Sequence, residues 1–320
     1  MDELAAGPAL GRGAVAADLA RAVAFQHAFA RRRAPRVVPV PGGFAVLDDR
    51  YPGSHDDNKL IIHPATAGSP EPPATPVDPR AAGVAPAVGK PAGEALAPGK
   101  APAAGEVAGE ARAGAGEVAP TAGEVLAAAD EVLAGRGHRL VCVDDDRLGL
   151  AFADAFDAAG YGHETNLVMV FRGPLPHDPP PADRLTLDEL APVLRRDWRR
   201  ALPQAPDEVI DGLARRVESR LRGADTVGFR GVRAPGGSIA ARADLYVHGG
   251  VAQIESVFTG EEHRGKGHAR ALMLALLAEA AEAQAELIFL VADADDWPRH
   301  FYARLGFEVV GRTHSFLRTA

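Results

Sequence analysis

Between Pro64 and Val118 the chain all but stops supplying material for a core. Ala, Pro, Gly and Glu dominate, there is no aromatic residue, and large aliphatics are few. The triplet Ala-Gly-Glu recurs from positions 92, 104, 108, 115 and 122 at irregular spacing, so the stretch is no solenoid. It cannot bury enough apolar area to offset about 1–2 kcal/mol of backbone entropy per residue. The sequence therefore predicts a disordered insertion at about 64–118, and any fold must be built from the two flanks. A second stiff, Pro-rich stretch at 173–183 reads as a linker. The expected layout is one domain over 1–172, interrupted by the insertion, and another over 184–320.

Both flanks carry alternating patterns. Residues 15–32 read as a helix, with arginines at its C-terminal end where they suit the dipole. RVVPV and FAVLDD around Gly42-Gly43 read as a hairpin. HRLVCVDD, RLGLAFADAFDAAGY and NLVMVF read as strand, helix and strand. In the second flank, helices are expected over 187–201 and 207–222, and strands over 225–233, 238–247 and 251–259. A further helix–strand–helix–strand run follows. Antiparallel strands followed by crossovers predict an α/β (α+β) fold with a mixed central sheet flanked by helices.

Composition narrows the function. The formal charge of −8 lacks the basic footprint of nucleic-acid binding. The single cysteine, Cys142, allows no intramolecular disulfide and no cysteine metal cluster. No apolar run approaches the ~18 residues of a membrane span. The N-terminus does not read as a signal peptide, so a cytoplasmic protein is expected.

The stretch GEEHRGKGHAR (Gly260–Arg270) follows an apolar strand and opens an apolar-striped helix. Gly260, Gly265 and Lys266 satisfy the glycine–lysine spacing of a nucleotide P-loop, but the required Ser or Thr is Gly267, which removes the magnesium ligand. The alternative is R-x-x-G-x-A, formed by Arg264, Gly265, Lys266, Gly267, His268 and Ala269. Glycines let backbone N–H groups approach an anion, and the helix start supplies positive potential. Cations at an empty helix start lose about 0.3–1 kcal/mol, which a bound pyrophosphate would reverse. Downstream, FYARLGF closes a short helix at Gly306 and enters a strand.

Taken together, QIESVFT, HRGKGHA and FYARLGF resemble the GCN5-related N-acetyltransferase (GNAT) family. The resemblance covers about residues 185–320. It implies acetyl-CoA as acyl donor, no metal, and an unidentified amine acceptor, expected to be a small molecule, with protein N-termini, antibiotics, polyamines and amino acids all open; charge and hydropathy speak for no nucleic acid and no membrane as partners. It implies that Arg264–Ala269 hold the pyrophosphate and that Val257, Phe258 and Thr259 run beside the pantetheine. It also implies that Tyr302 protonates the departing thiolate. Glu255, two residues before Val257 on the same strand, is the candidate base. Asp295 stands where the family often has asparagine. The alternative function is a non-catalytic acyl-CoA-binding or interaction protein.

The first flank echoes the second. Aligning Gly160-Tyr161 with Gly306-Phe307 sets Phe156 opposite Tyr302, and no R-x-x-G-x-A leads directly into the helix at Val125. Two tandem GNAT-like copies are expected, the first degenerate. The cluster His55-Asp56-Asp57 reads as a solvated turn rather than a metal site, and His63 and His138 read as strand-edge residues.

Overall fold

The computed structural model describes residues 11–63 and 119–319, so the expected insertion lies outside the described residues. Helix α1 (Arg12–Arg33) leads into strands β1 (Arg36–Val40) and β2 (Gly43–Leu47). Their two-residue turn needs the positive φ of Gly42, 71°. Strand β3 (Lys59–Ile62) follows. After the insertion come α2 (Ala122–Val132), β4 (His138–Val143), α3 (Asp146–Ala158) and β5 (Gly162–Phe171). The second half runs β6 (Asp183–Arg184), α4 (Leu187–Ala201), α5 (Asp207–Arg215), a 3-10 helix (Arg216–Arg222), β7 (Thr226–Arg233), β8 (Ile239–His248) and β9 (Val251–Thr259). It ends with α6 (His268–Glu282), β10 (Leu287–Asp293), α7 (Pro298–Leu305) and β11 (Phe307–Thr319).

Short-range chemistry sets most boundaries. Thr121 and Glu124 form a reciprocal capping box on α2, and Thr186 and Glu189 form another on α4. Asp145 caps α3 by accepting from the Leu148 N–H at 2.8 Å. Helices α3 and α7 both stop at glycines in the left-handed region, Gly160 at 78° and Gly306 at 101°. The helix expected over 207–222 changes character partway, tightening to 3-10 geometry from Arg216.

All strands join one 11-stranded mixed sheet, in the order β1-β2-β3-β4-β11-β5-β10-β9-β8-β7-β6. Among the described residues, only β3/β4 and β9/β10 pair in parallel. The two halves interleave: β5, from the first, lies between β10 and β11, while β11 lies between β4 and β5. Each half thus closes around a strand of the other.

Strand alternation assigns the faces. Ala243, Leu245, Ile254 and Leu290 pack under α6 with Leu272, Met273, Leu276 and Leu277. In the first half, Leu60, Ile62, Val141 and Val143 likewise pack under α2 and α3 with Val125, Phe152 and Phe156. The opposite face carries α1, whose Phe25 and Phe29 meet Val168, Val170, Tyr246 and Phe289 across both halves. Burying each such ring contributes roughly 1.5–3 kcal/mol. Ala22, Phe25 and Phe29 dominate the packed stripe of α1, with Leu19 and Ala30 beside them, because the helix lies across the central strands rather than along one half.

Candidate active site

The β9/β10 pair holds register at only three positions, ending at Gln253 opposite Phe289. Beyond that point the strands diverge and leave a cleft of about 220 Å³. It is bordered by Glu255, Ser256 and Val257 on one side, Leu290–Asp293 on the other, and Pro298 and Tyr302 of α7 at one end. The cause of the divergence is local. The register between β8 and β9 shifts between Arg242 and Asp244, and Ser256 adopts φ of 56°, the left-handed region uncommon outside glycine. Arg220 pins this bulge: its Nη1 donates to Ser256 Oγ at 3.1 Å and also to the buried Asp244 carboxylate. Tyr246 donates to the same carboxylate at 2.7 Å.

The bulge also corrects the simple two-residue alternation behind Glu255. Four consecutive residues, Ile254–Val257, border the cleft. Glu255 pairs in register with Asp244, which places it on the α1 face of the sheet. Its carboxylate accepts from Gln253 Nε2 at 2.7 Å. Burial raises the Glu255 pKa, an effect that Arg220 partly offsets. Tyr302 packs with the α6-face core and is 8% exposed. Burial, reinforced by the negative charges of Glu255 and Asp296, pushes its phenol up to about 12. Tyr302 and Glu255 therefore reach one cleft from opposite faces of the sheet.

The glycine loop lies in the open. Gly265 and Gly267 have φ of 73° and 82°, and a Cβ on either would meet nothing within 4 Å. Backbone conformation, not crowding, requires glycine at both. No side chain caps α6, and its first turn holds no acid. Arg264 and Lys266 are exposed. Arg264 Nε approaches Thr259 O at 3.4 Å, and Lys266 Nζ donates to Glu262 O at 2.8 Å. His268 and Ala269 begin the helix half-buried. An uncapped, acid-free helix start with two left-handed glycines fits an anion such as a diphosphate. Val257, Phe258 and Thr259 lead into this loop, half-buried, and the Arg242 guanidinium sits 4.8 Å from the Phe258 ring centroid.

Asp295 stays outside the cleft lining. Asp293 and Asp296, rather than Asp295, accept the turn N–H groups of Asp295 and Trp297, so α7 starts at Pro298 without Asp295 as its cap. Phe156, the counterpart of Tyr302, is fully buried among Phe152, Tyr161 and Phe316.

The cluster His55-Asp56-Asp57 is no solvated turn. Ser54, Asp57 and Asn58 are buried, Ser219 donates to Asp57 at 3.0 Å, and Arg216 donates to Ser54 at 2.8 Å and to Asp56 at 3.0 Å. Nor is His138 an edge residue: it is 2% exposed, with Nε2 2.9 Å from Asn58 O. Arg216 and Ser219 sit about 160 positions from this loop and His138 sits 80 positions from Asn58, so no local pattern announces them. The basic run of α4 is held within the second half, by Arg195–Asp211, Arg199–Asp207 and Arg200–Glu262.

A sheet split beside a glycine loop and an uncapped helix start joins a cleft to an anion-binding helix terminus. Residues 188–307 match the model of the acetyltransferase (GNAT) family. A GCN5-related N-acetyltransferase from Kribbella flavida is 13% identical, with a TM-score of 0.52 covering 95% of this chain and 96% of that one. A conserved Staphylococcus epidermidis protein of unknown function is 11% identical, with a TM-score of 0.55 over 89% and 94%. A GCN5-related N-acetyltransferase from Sphaerobacter thermophilus is 20% identical with a TM-score of 0.40. It covers 57% of this chain, and this chain spans only 60% of that relative's length. No curated protein matches the sequence. The second half thus matches the family model, and the fold shared with the Kribbella flavida protein extends over both halves of the described chain.

Proposed function

We propose that the protein is an acetyl-CoA-dependent N-acetyltransferase acting on a small-molecule amine. In this reading 184–320 is the catalytic domain, 1–172 its degenerate copy and 173–183 the linker. The observation that carries the reading is the split between β9 and β10, with Glu255 and Tyr302 on one cleft and an uncapped helix start beside it. Arg264–Ala269 bind the diphosphate of the donor, and Val257–Thr259 line its arm. The donor supplies an activated thioester.

A free amine is mostly protonated near neutral pH and must lose a proton before attack. Glu255 takes that proton, and its raised pKa suits the task. Nitrogen bonds to the acyl carbon, the carbon–sulfur bond breaks, the thiolate receives the Tyr302 proton, and the nitrogen's remaining surplus proton passes through solvent to the Tyr302 phenolate and restores the phenol. The high phenol pKa keeps that proton in place until the thiolate forms. A main-chain N–H near Val257 is the candidate donor to the carbonyl oxygen, a kind of contact worth roughly 2.7–4 kcal/mol elsewhere. Cytoplasmic residence is part of the proposal; among the described residues no helix is long and apolar enough to cross a membrane. Calorimetric titration with acetyl-CoA, followed by thiol release on an amine panel, tests the reading. Donor binding without transfer to any amine would instead favour a non-catalytic acyl-CoA-binding protein, and no binding would refute both.

A further inference from the structure

The cleft depends on one unfavourable residue, and what holds that residue comes from outside its strand. Ser256 borders the cleft at φ of 56°, a region in which a side chain with a Cβ is strained. Among the described residues, the side chain bonded to its hydroxyl is Arg220, through Nη1 at 3.1 Å. That guanidinium is fixed in turn by the Asp244 carboxylate, which is 3% exposed and also accepts from Tyr246. Arg220 therefore acts as a pin, and the pin is as firm as the 3-10 helix (Arg216–Arg222) that carries it.

A 3-10 helix of seven residues is a poor foundation by itself, since runs beyond three or four residues are uncommon. The first half braces this one along its length. Arg216 donates to Ser54 Oγ at 2.8 Å and to Asp56 at 3.0 Å. Ser219 donates to Asp57 Oδ1 at 3.0 Å, and Ser54 donates to Asp57 Oδ2 at 2.5 Å, so both oxygens of that carboxylate are engaged. Arg222 donates to Arg33 O at 2.8 Å, and Arg33 donates back into the loop at Asp56 O. The bracket is closed to solvent at its centre: Asp57 is 4% exposed and Ser219 1%. Ser219 and Arg220 are consecutive, so one residue is tied to the first half and the next reaches the cleft.

We propose that the first half is a positioning element of the cleft. Its 54–58 loop holds Arg216 and Ser219, the 3-10 helix thereby presents Arg220, and Arg220 keeps Ser256 in the turn that parts β9 from β10. Asp57 and Ser219 are positioning residues: they touch neither donor nor acceptor and act through Arg220. That the opening receives acetyl-CoA rests on the proposed acetyl transfer; the brace itself does not. A half without a glycine loop thus serves the reaction by holding the other half's cleft open.

Two readouts on the full-length protein test this. Hydrogen exchange followed by mass spectrometry reports the amides of 254–259 with no ligand needed, and calorimetry reports acetyl-CoA affinity. Ser219→Ala, outside the cleft, should speed exchange at 254–259 by about threefold or more and weaken acetyl-CoA binding by a similar factor, as expected for one lost hydrogen bond to a carboxylate. Exchange in the α6 core, Leu272–Leu277, should stay at the wild-type rate. Arg220→Met should have the larger effect, about tenfold or more in both readouts. If Arg220→Met does not fold, two variants of Ser256 decide the pin. Ser256→Ala keeps the Cβ and loses the pin, whereas glycine is at ease at positive φ, so Ser256→Ala should bind acetyl-CoA at least about threefold more weakly than Ser256→Gly. Unchanged exchange at 254–259 in Ser219→Ala overturns the inference, and so does equal affinity of the two Ser256 variants. A wild type that binds no acetyl-CoA sinks the proposed reaction, and exchange in Ser219→Ala then upholds or overturns the brace by itself.

Discussion

The molecule contains the same junction twice, once shut and once open. In the first half β3 and β4 pair in parallel from Leu60 opposite Val141 to Ile62 opposite Val143, and the Asp144 N–H still reaches Ile62 O at 2.9 Å. In the second half β9 and β10 also pair at three positions, but β9 continues for six residues after Gln253 and swings away at the Ser256 bulge. The helices that follow the first strand of each pair differ in kind. The start of α2 is closed by its own Thr121 and by a carboxylate, Glu124. The start of α6 offers glycines, cations and no acid. A negative charge at the third helical position occupies the place an anionic ligand would take. A capped helix start and a short strand thus keep the first junction shut, while its parallel pairing matches that of the second.

The contrast can be broken most forcefully at its phenol. Tyr302→Phe makes the open junction resemble the closed one, where Phe156 stands. It should cut turnover by about 100-fold or more, with acetyl-CoA affinity retained by calorimetry. Next in size is the loop. Gly267→Val forces a β-branched residue into the left-handed region, at a cost of roughly 1–2 kcal/mol, so donor affinity should weaken by about 5–30-fold in the same titration. Third, the base sets a pH limb. Glu255 must be deprotonated to act, and its pKa lies above the ordinary glutamate value, so kcat/KM should fall as pH drops through that raised value. Glu255→Gln should lower the plateau and abolish the limb; a pH profile identical to wild type would remove Glu255 from the mechanism. The smallest effect belongs to the closed half. Thr121→Ala removes one cap and should lower thermal stability by about 1 kcal/mol, read as a modest fall in Tm, with donor affinity untouched.

Much of this contrast was readable from the chain alone, because it is written in local chemistry. R-x-x-G-x-A before an apolar-striped helix gave the loop, and Gly306-Phe307 after Tyr302 gave the phenol. The alignment of Gly160 with Gly306 gave the counterpart Phe156. Strand and helix limits fell within a few residues wherever caps or glycines fixed them. What stayed hidden depends on residues distant in sequence. The left-handed turn at Ser256 is held by Arg220, 36 positions earlier, and no serine in a strand signals it. The buried Asp57 finds its partner in Ser219, 162 positions later. The sheet order was hidden for the same reason, since neither β5 nor β11 carries a mark naming its neighbour.

That order bears on how the chain must be made. Because β11 is seated between two strands of the opposite half, a ribosome that has released only the first 172 residues has produced a sheet with a gap, its β4 and β5 margins unsatisfied until Phe307–Thr319 emerges.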